Sequence, residues 1–227
     1  MNLKLIKIKN ESTNIKTFVF KANEKLIWKA GQYLIVNLNH NNPDLRGKMR
    51  FLTISSSPFE KHPAISTRIN KNSSSFKKAL NNLKIGEKIE AKGPDGDFVI
   101  DDKNKNYIFI AEGIGITPFR SIIKQLDFEQ KTININLLYI NKNDKILFKN
   151  ELEEIARKNN KFKIHYFNNP NEINKTTFIK LTTDFKETLF YISGKEITIE
   201  TIKKYLKGLK ISKNNIKADY FLGYKNI

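Results

Sequence analysis

Apolar and polar positions alternate with a period of two through most of the first hundred residues. Residues 4–9, 16–22, 33–39, 51–55, 65–69, 88–92 and 98–100 are rich in β-branched and aromatic side chains and bounded by turn formers, so each predicts a strand. Short strands at this density predict a small antiparallel barrel. One helix interrupts them over residues 76–83, with Ser74 or Ser75 as its cap and Gly86 just beyond its end. The pattern then changes. Strands at 107–111, 133–140, 162–167, 188–192 and 217–221 alternate with helices at 118–126, 148–158, 175–181 and 197–206. Such alternation predicts a doubly wound α/β domain built on a parallel sheet. The polar segment 101–106 offers nothing to bury and marks the boundary, giving domains 1–102 and 103–227.

Composition narrows the chemistry. The chain has 227 residues, enough for two cores, and no cysteine. Disulfides, thiolate nucleophiles and cysteine-ligated iron–sulfur clusters are thereby excluded. His40, His62 and His165 match no closely spaced zinc pattern, so no metal site is expected. No apolar run approaches the ~18 residues of a membrane-spanning helix. The N-terminus alternates like a strand where a secretory signal would be continuously apolar, and the expectation is a soluble, cytoplasmic chain. A formal net charge of +18 raises nucleic-acid binding as an alternative. The lysines are spread through every segment without forming a block or stripe, which fits a compositional bias and leaves an acidic protein partner compatible.

The segment Arg50-Phe51-Leu52-Thr53-Ile54-Ser55-Ser56-Ser57-Pro58 sets an arginine and several hydroxyls along one predicted strand. Phe51, Thr53 and Ser55 would face one way, Arg50, Leu52 and Ile54 the other. A fixed guanidinium can pair with a pyrophosphate, and a neighbouring hydroxyl can hydrogen-bond a ring nitrogen. This segment resembles the R-x-[YF]-[ST]-x-x-S-x-P flavin motif of the ferredoxin–NADP reductase family. The resemblance implies FAD, with Arg50 on its pyrophosphate, Leu52 over the isoalloxazine and Thr53 at the N5 edge. Phe51, Ile54 and Ser55 complete the candidate flavin stretch. Leu52 stands where the family has an aromatic residue, which forfeits stacking worth about 0.5–1.5 kcal/mol beyond area burial.

Other segments carry the same resemblance. Gly31-Gln32-Tyr33 is similar to the family's entry into a barrel strand, Asp44-Leu45-Arg46-Gly47 to the turn before its flavin motif, and Gly93-Pro94-Asp95-Gly96-Asp97-Phe98 to its G-P-x-G-x-F turn. Thr67 and Arg68 end a strand. Ser74 and Ser75 then open a helix whose N-terminus suits the cofactor's second phosphate. Arg68 is either a cofactor contact or a solvated side chain, and the serines serve as helix caps on any reading.

Glu112-Gly113-Ile114-Gly115-Ile116-Thr117-Pro118 follows an apolar strand and opens a helix, as a turn that admits a pyrophosphate should. It resembles the family's nicotinamide-nucleotide turn, with Glu112 in place of a common glycine. The cofactor contacts implied there are Gly113, Gly115, Ile116, Thr117 and Pro118. Lys142 is either a ligand for a 2′-phosphate or a solvated loop lysine. Ser193 and Gly194 occupy the place of the family's C-G or S-G pair near the nicotinamide, and Tyr224 either lies against the cofactors or is an exposed terminal aromatic.

The resemblance covers nearly the whole chain. It implies an FAD-dependent oxidoreductase in which NAD(P)H passes hydride to the flavin, with Thr53 and Ser193 nearest the reacting atoms. Electrons would go on to a ferredoxin- or flavodoxin-like or other acidic carrier protein. A flavin or quinone reductase is the alternative within the same fold.

Overall fold

The computed structural model describes residues 1–142 and 145–220. The chain divides into two compact units, Met1–Val99 with Arg120–Gln125, and Ile100–Phe119 with Leu126–Ile227. Among the described residues no helix is long and apolar enough to cross a membrane.

The first unit is a six-stranded antiparallel half-barrel. Its strands are β1 (Asn2–Ser12), β2 (Ile15–Ala22), β3 (Tyr33–Asn37), β4 (Met49–Thr53), β5 (Ala64–Arg68) and β6 (Lys88–Asp95), in the order β4-β3-β6-β1-β2-β5. Alternate residues point inward, so Leu3, Leu5, Phe18, Phe20, Leu34, Val36, Ile89 and Ala91 form one core with Trp28. Pairing of β1 with β2 slips by one residue between Leu5 and Lys7. Such a bulge increases local twist and helps curl the sheet. Helix α1 (Ser75–Asn82) buries Phe76 and Leu80, four apart on one face, and the Ser74 hydroxyl accepts from the Lys77 amide as its cap.

Residues 98–100, expected as a strand, form none, although Phe98 and Val99 are buried. Both edges of β6 are already paired, by β3 and by β1, so the apolar triplet packs its side chains without joining the ladder. Strand β4 begins and ends two residues before its expected bounds of 51–55, because the Ile54 amide bonds Gln32 just before β3 and the Ser55 amide turns to the Ala64 carbonyl.

The second unit is a parallel sheet of β7 (Asn106–Glu112), β8 (Ile135–Ile140), β9 (Phe162–Phe167), β10 (Thr188–Gly194) and β11 (Ile216–Tyr220), ordered β11-β10-β7-β8-β9. Helices α2 (Ile116–Phe128), α3 (Lys149–Lys158), α4 (Lys175–Leu181) and α5 (Glu196–Gly208) make the crossovers. Strands covered on both faces read as continuous apolar runs, as β7 and β8 do. One face packs Ile108, Leu138, Phe190 and Ile192 against Phe178 of α4 and Ile199, Ile202 and Leu206 of α5. From β7 the chain winds outward through β8 and β9, then returns to lay β10 on the other side of β7. The order therefore reverses between β7 and β10, and the carboxyl ends of those two strands form the crevice where such sheets bind ligands.

Phe190 is fully buried, with the rings of Phe178 and Phe185 at 6.0 and 6.5 Å. Phe190→Ala is expected to cost about 3–5 kcal/mol, read as a lower denaturation midpoint in urea.

Candidate functional site

Strand β4, which carries Arg50 to Thr53, is an edge strand paired with β3. Its odd residues face outward: Met49 and Phe51 are exposed, and the Phe51 ring meets Tyr33 edge-on at 5.4 Å. Leu52 packs against the core of the unit. Thr53 lies opposite Tyr33, is half-buried, and its hydroxyl has no hydrogen-bond partner among the described residues. That hydroxyl can therefore meet a ligand's polar edge without breaking anything.

Arg50 is held by the turn before it. Its Nη1 donates to the carbonyls of Arg46, Gly47 and Met49 at 2.7–2.9 Å, and its Nη2 donates to Asp44 Oδ1 at 3.0 Å. The guanidinium also lies 5.1 Å from the centroid of the Phe76 ring. Asp44 Oδ2 accepts from the Ser75 amide at 3.3 Å, so the carboxylate joins Arg50 to the first turn of α1. Ser75 Oγ accepts from the Asp44 amide at 2.9 Å and pairs with His40 Nε2 at 3.0 Å. Burial works to raise the Asp44 carboxyl, but the Arg46 amide and the charges of Arg50 and Arg46 hold it below its ordinary value. A guanidinium and a helix N-terminus thus already hold an anionic group, and the same donor set suits a cofactor phosphate.

Residues 55–57 serve the fold. The Ser55 hydroxyl donates to the Ala64 carbonyl at 3.0 Å and pairs with Ser66, which pairs in turn with Thr17. Its carbonyl accepts from Arg120 Nη1 at 2.8 Å. The Ser56 carbonyl accepts from Ser121 Oγ at 2.7 Å and from the Trp28 indole, and the Ser57 amide donates to Glu60 Oε2 at 2.8 Å. Glu60 takes both Arg120 nitrogens, at 2.9 and 3.2 Å, with Lys124 at 3.4 Å, all inside the first unit. Ile54 is buried beside this network, while Thr67 is buried on β5 and Arg68 is half-buried at its end. Burial opposes ionisation of Glu60, yet the Arg120 hydrogen bonds and charge overcome it and bring its pKa down to about 2.

In the second unit the turn after β7 is a short 3-10 segment, Gly113–Gly115, that runs into α2. Gly113 has φ +55, and its carbonyl accepts from the Tyr139 hydroxyl at 3.3 Å. A Cβ on Gly115 would lie 2.2 Å from the Ser193 carbonyl oxygen, so only glycine lets the turn pass the end of β10. The Thr117 hydroxyl donates to the Ile114 carbonyl at 3.1 Å, which closes the turn, and Ile116 and Pro118 are buried in the first turn of α2. Glu112 turns to the neighbouring loop, where Oε2 accepts from the Lys195 amide at 3.2 Å and Oε1 lies 3.3 Å from its ammonium. The carboxylate that replaces the family's glycine is thereby neutralised. Gly194 lets it in: a Cβ there would stand 2.8 Å from Glu112 Cβ.

Ser193 is buried, and its hydroxyl donates to Asp219 Oδ2 at 3.3 Å. Burial pushes the Asp219 carboxyl up, against the lowering effect of that hydrogen bond. Lys142 is exposed just beyond the end of β8, and Tyr224 lies outside the described residues. Sequence reasoning passed over Asp219, Glu60 and Arg120. An acidic residue near the carboxyl end of a parallel strand was a signal for Asp219, and the Ser57-x-x-Glu60 capping box was one for Glu60. Nothing local distinguishes Arg120 from a helix-surface arginine.

Two family models match the chain, the oxidoreductase FAD-binding domain over residues 2–100 and the oxidoreductase NAD-binding domain over residues 109–204. Flavohemoprotein A of Dictyostelium discoideum is 30% identical over 238 residues, taking in 96% of this chain and 59% of that protein. The ferredoxin-NADP+ reductase from Plasmodium falciparum is similar at a TM-score of 0.83 and 27% identity, with 97% of this chain and 95% of that one covered. A flavohemoglobin from Malassezia yamatoensis, solved with bound FAD and heme, shares the fold at a TM-score of 0.80 and 19% identity, covering 97% and 59% of the two chains. The chain spans about three-fifths of the length of the flavohemoproteins it matches. An FAD-binding domain followed by an NAD-binding domain defines an oxidoreductase that pairs a flavin with a nicotinamide nucleotide. The chain belongs to the ferredoxin–NADP-reductase-like superfamily of FAD/NAD-binding oxidoreductases.

Two outcomes test these local arrangements. Because Glu60 is depressed from 4.5 to about 2 on folding, its stabilisation is complete above pH 4.5 and is lost as the pH falls through 2. The shift corresponds to about 3 kcal/mol. Glu60→Gln should therefore lower stability at pH 7 and flatten its fall between pH 5 and 2.5, as measured by urea titration at each pH. Gly115→Ala should destabilise the chain by about 1–3 kcal/mol and weaken NAD(P)H binding, followed by denaturation and by nucleotide titration.

Proposed function

We propose that the chain is a reductase of the ferredoxin–NADP reductase type, in which residues 1–102 hold FAD, residues 103–227 receive NAD(P)H, and the electrons leave to a separate acidic carrier protein. The observation that carries this reading is the anion-holding set of Arg50 and the α1 N-terminus on the same unit as the unengaged hydroxyl of Thr53. When bound, flavin would supply the redox chemistry, two-electron uptake and one-electron release.

The residues bind and orient. Arg50, Ser74 and Ser75 take the flavin phosphates, and Thr53 donates to the N5 edge. Leu52 covers the ring by apolar contact, with Phe51, Thr67 and Arg68 beside it, and the buried Ile54 and Ser55 support the strand end from behind. Gly113, Gly115, Ile116, Thr117 and Pro118 admit the nucleotide's pyrophosphate, and Lys142 meets a 2′-phosphate if NADPH is the donor. Ser193 and Gly194 lie beside the nicotinamide, where Asp219 fixes the direction of the Ser193 hydroxyl. The electron acceptor is read from charge: a chain at +18 favours encounter with an acidic partner, and its relatives' names include both a ferredoxin reductase and flavohemoproteins. Leu52 favours a second reading. Without an aromatic residue on the ring the flavin is held less firmly, as suits an enzyme that takes free flavin or a quinone as substrate.

The purified protein should be yellow and should bleach anaerobically on addition of NADH or NADPH. A colourless chain that neither takes up FAD nor oxidises either nucleotide would overturn the proposal, whereas flavin that washes out readily supports the second reading. Arg50→Ala should weaken FAD binding about 10- to 100-fold, the scale of a lost charge-assisted contact. Fluorescence titration checks it, with Arg50→Lys as the variant that keeps the charge.

A further inference from the structure

The first unit carries a carboxylate where its proposed cofactor would bring phosphates. Asp44 sits in the loop between β3 and β4, and its carboxylate gathers four donors or cationic groups. Oδ1 accepts from the Arg46 amide and from Arg50 Nη2, both at 3.0 Å. Oδ2 accepts from the Ser75 amide at 3.3 Å and lies 3.6 Å from Arg46 Nη2. Arg50 cannot serve a second anion in this arrangement with the same groups. Its Nη1 is engaged by three carbonyls, its Nη2 holds Asp44, and its side chain is only 15% exposed.

A diphosphate at these donors would stand within a few ångströms of the Asp44 charge, and like charges at that distance repel. We propose that the Asp44 carboxylate is a built-in competitor for the FAD diphosphate, so that cofactor binding exchanges one anion for another and Asp44 sets the affinity. The proposal rests on the flavin reading above. The loop is suited to yield. Leu45 is wholly exposed, and Gly47 turns at φ +66 with nothing within 4 Å of where a Cβ would be. The side chain of Asp44 is itself 31% exposed, so its outward path is open. Released from Arg50, it returns to water, and the donors it leaves are the pair a phosphate needs.

Flavin-fluorescence titration of the full chain, stripped of flavin, tests the exchange. Asp44→Asn removes the charge and keeps the shape; it should bind FAD about tenfold more tightly, the scale of one charge-assisted contact. Binding of riboflavin, which has no phosphate, should not change. Asp44→Ser, a smaller neutral side chain, should tighten FAD binding in the same direction and stands in if the Asn variant fails to fold. In the unaltered chain, hydrogen exchange at the Arg46 amide should speed up on FAD binding, because its Asp44 acceptor leaves. If FAD binds the unaltered chain but the neutral variants bind it equally or more weakly, Asp44 braces Arg50 and the competition is refuted. Slower exchange at Arg46 refutes it also. If no version of the chain binds FAD, the flavin reading itself falls.

Discussion

The second unit depends on how closely two strand ends approach. Gly115 passes so near the Ser193 carbonyl that a single added carbon would meet it at 2.2 Å, and Gly194 faces Glu112 almost as tightly. These contacts bring the turns after β7 and β10 together where the strand order reverses. Without side chains at the two glycines, the backbone of one turn becomes a wall of the other. The Ser193 hydroxyl, the Gly113–Gly115 turn and the start of α2 are thereby gathered at the carboxyl end of one sheet, where amide hydrogens favour an anionic ligand.

A different constraint organises the first unit. Strand β4 lies at an open edge, and the segment after it has to be tied down by side chains. Glu60 and Arg120 do this by binding the Ser57 amide and the Ser55 carbonyl, so the serines of the motif are engaged within the protein. Earlier on the strand Arg50 is held by three carbonyls and Asp44, and the Thr53 hydroxyl has no hydrogen-bond partner among the described residues. Within one short segment, the second half is held by Glu60 and Arg120. Asp44 holds the first half through Arg50 and ties it to the start of α1.

Much of this was legible from the residues in order. The change from period-two alternation to alternating strands and helices marked both architectures, and Gly113 and Gly115 marked the turn at the carboxyl end of β7. What misled was apolar character without a partner: residues 98–100 look like a strand, yet both edges of β6 are occupied. The serine run also looked uniformly polar and available. Only the hydroxyl chain through Ser66 and Thr17 revealed where Ser55 is directed.

The sequence by itself determined the local choices, which are strand or helix, cap and turn, and the places where only glycine fits, because these follow from neighbours a few residues apart. The tertiary structure alone decided which polar groups the carboxylates meet. Asp44 reaches the Ser75 amide 31 positions away, Ser193 reaches Asp219 across 26, and Glu60 reaches Arg120 across 60. Such pairs depend on strand order and on the path of loops between strands, and no periodicity along the chain encodes them. The flavin motif was therefore readable as a string of residues. Which of its side chains are engaged by the protein was decided by the folding of distant segments around it.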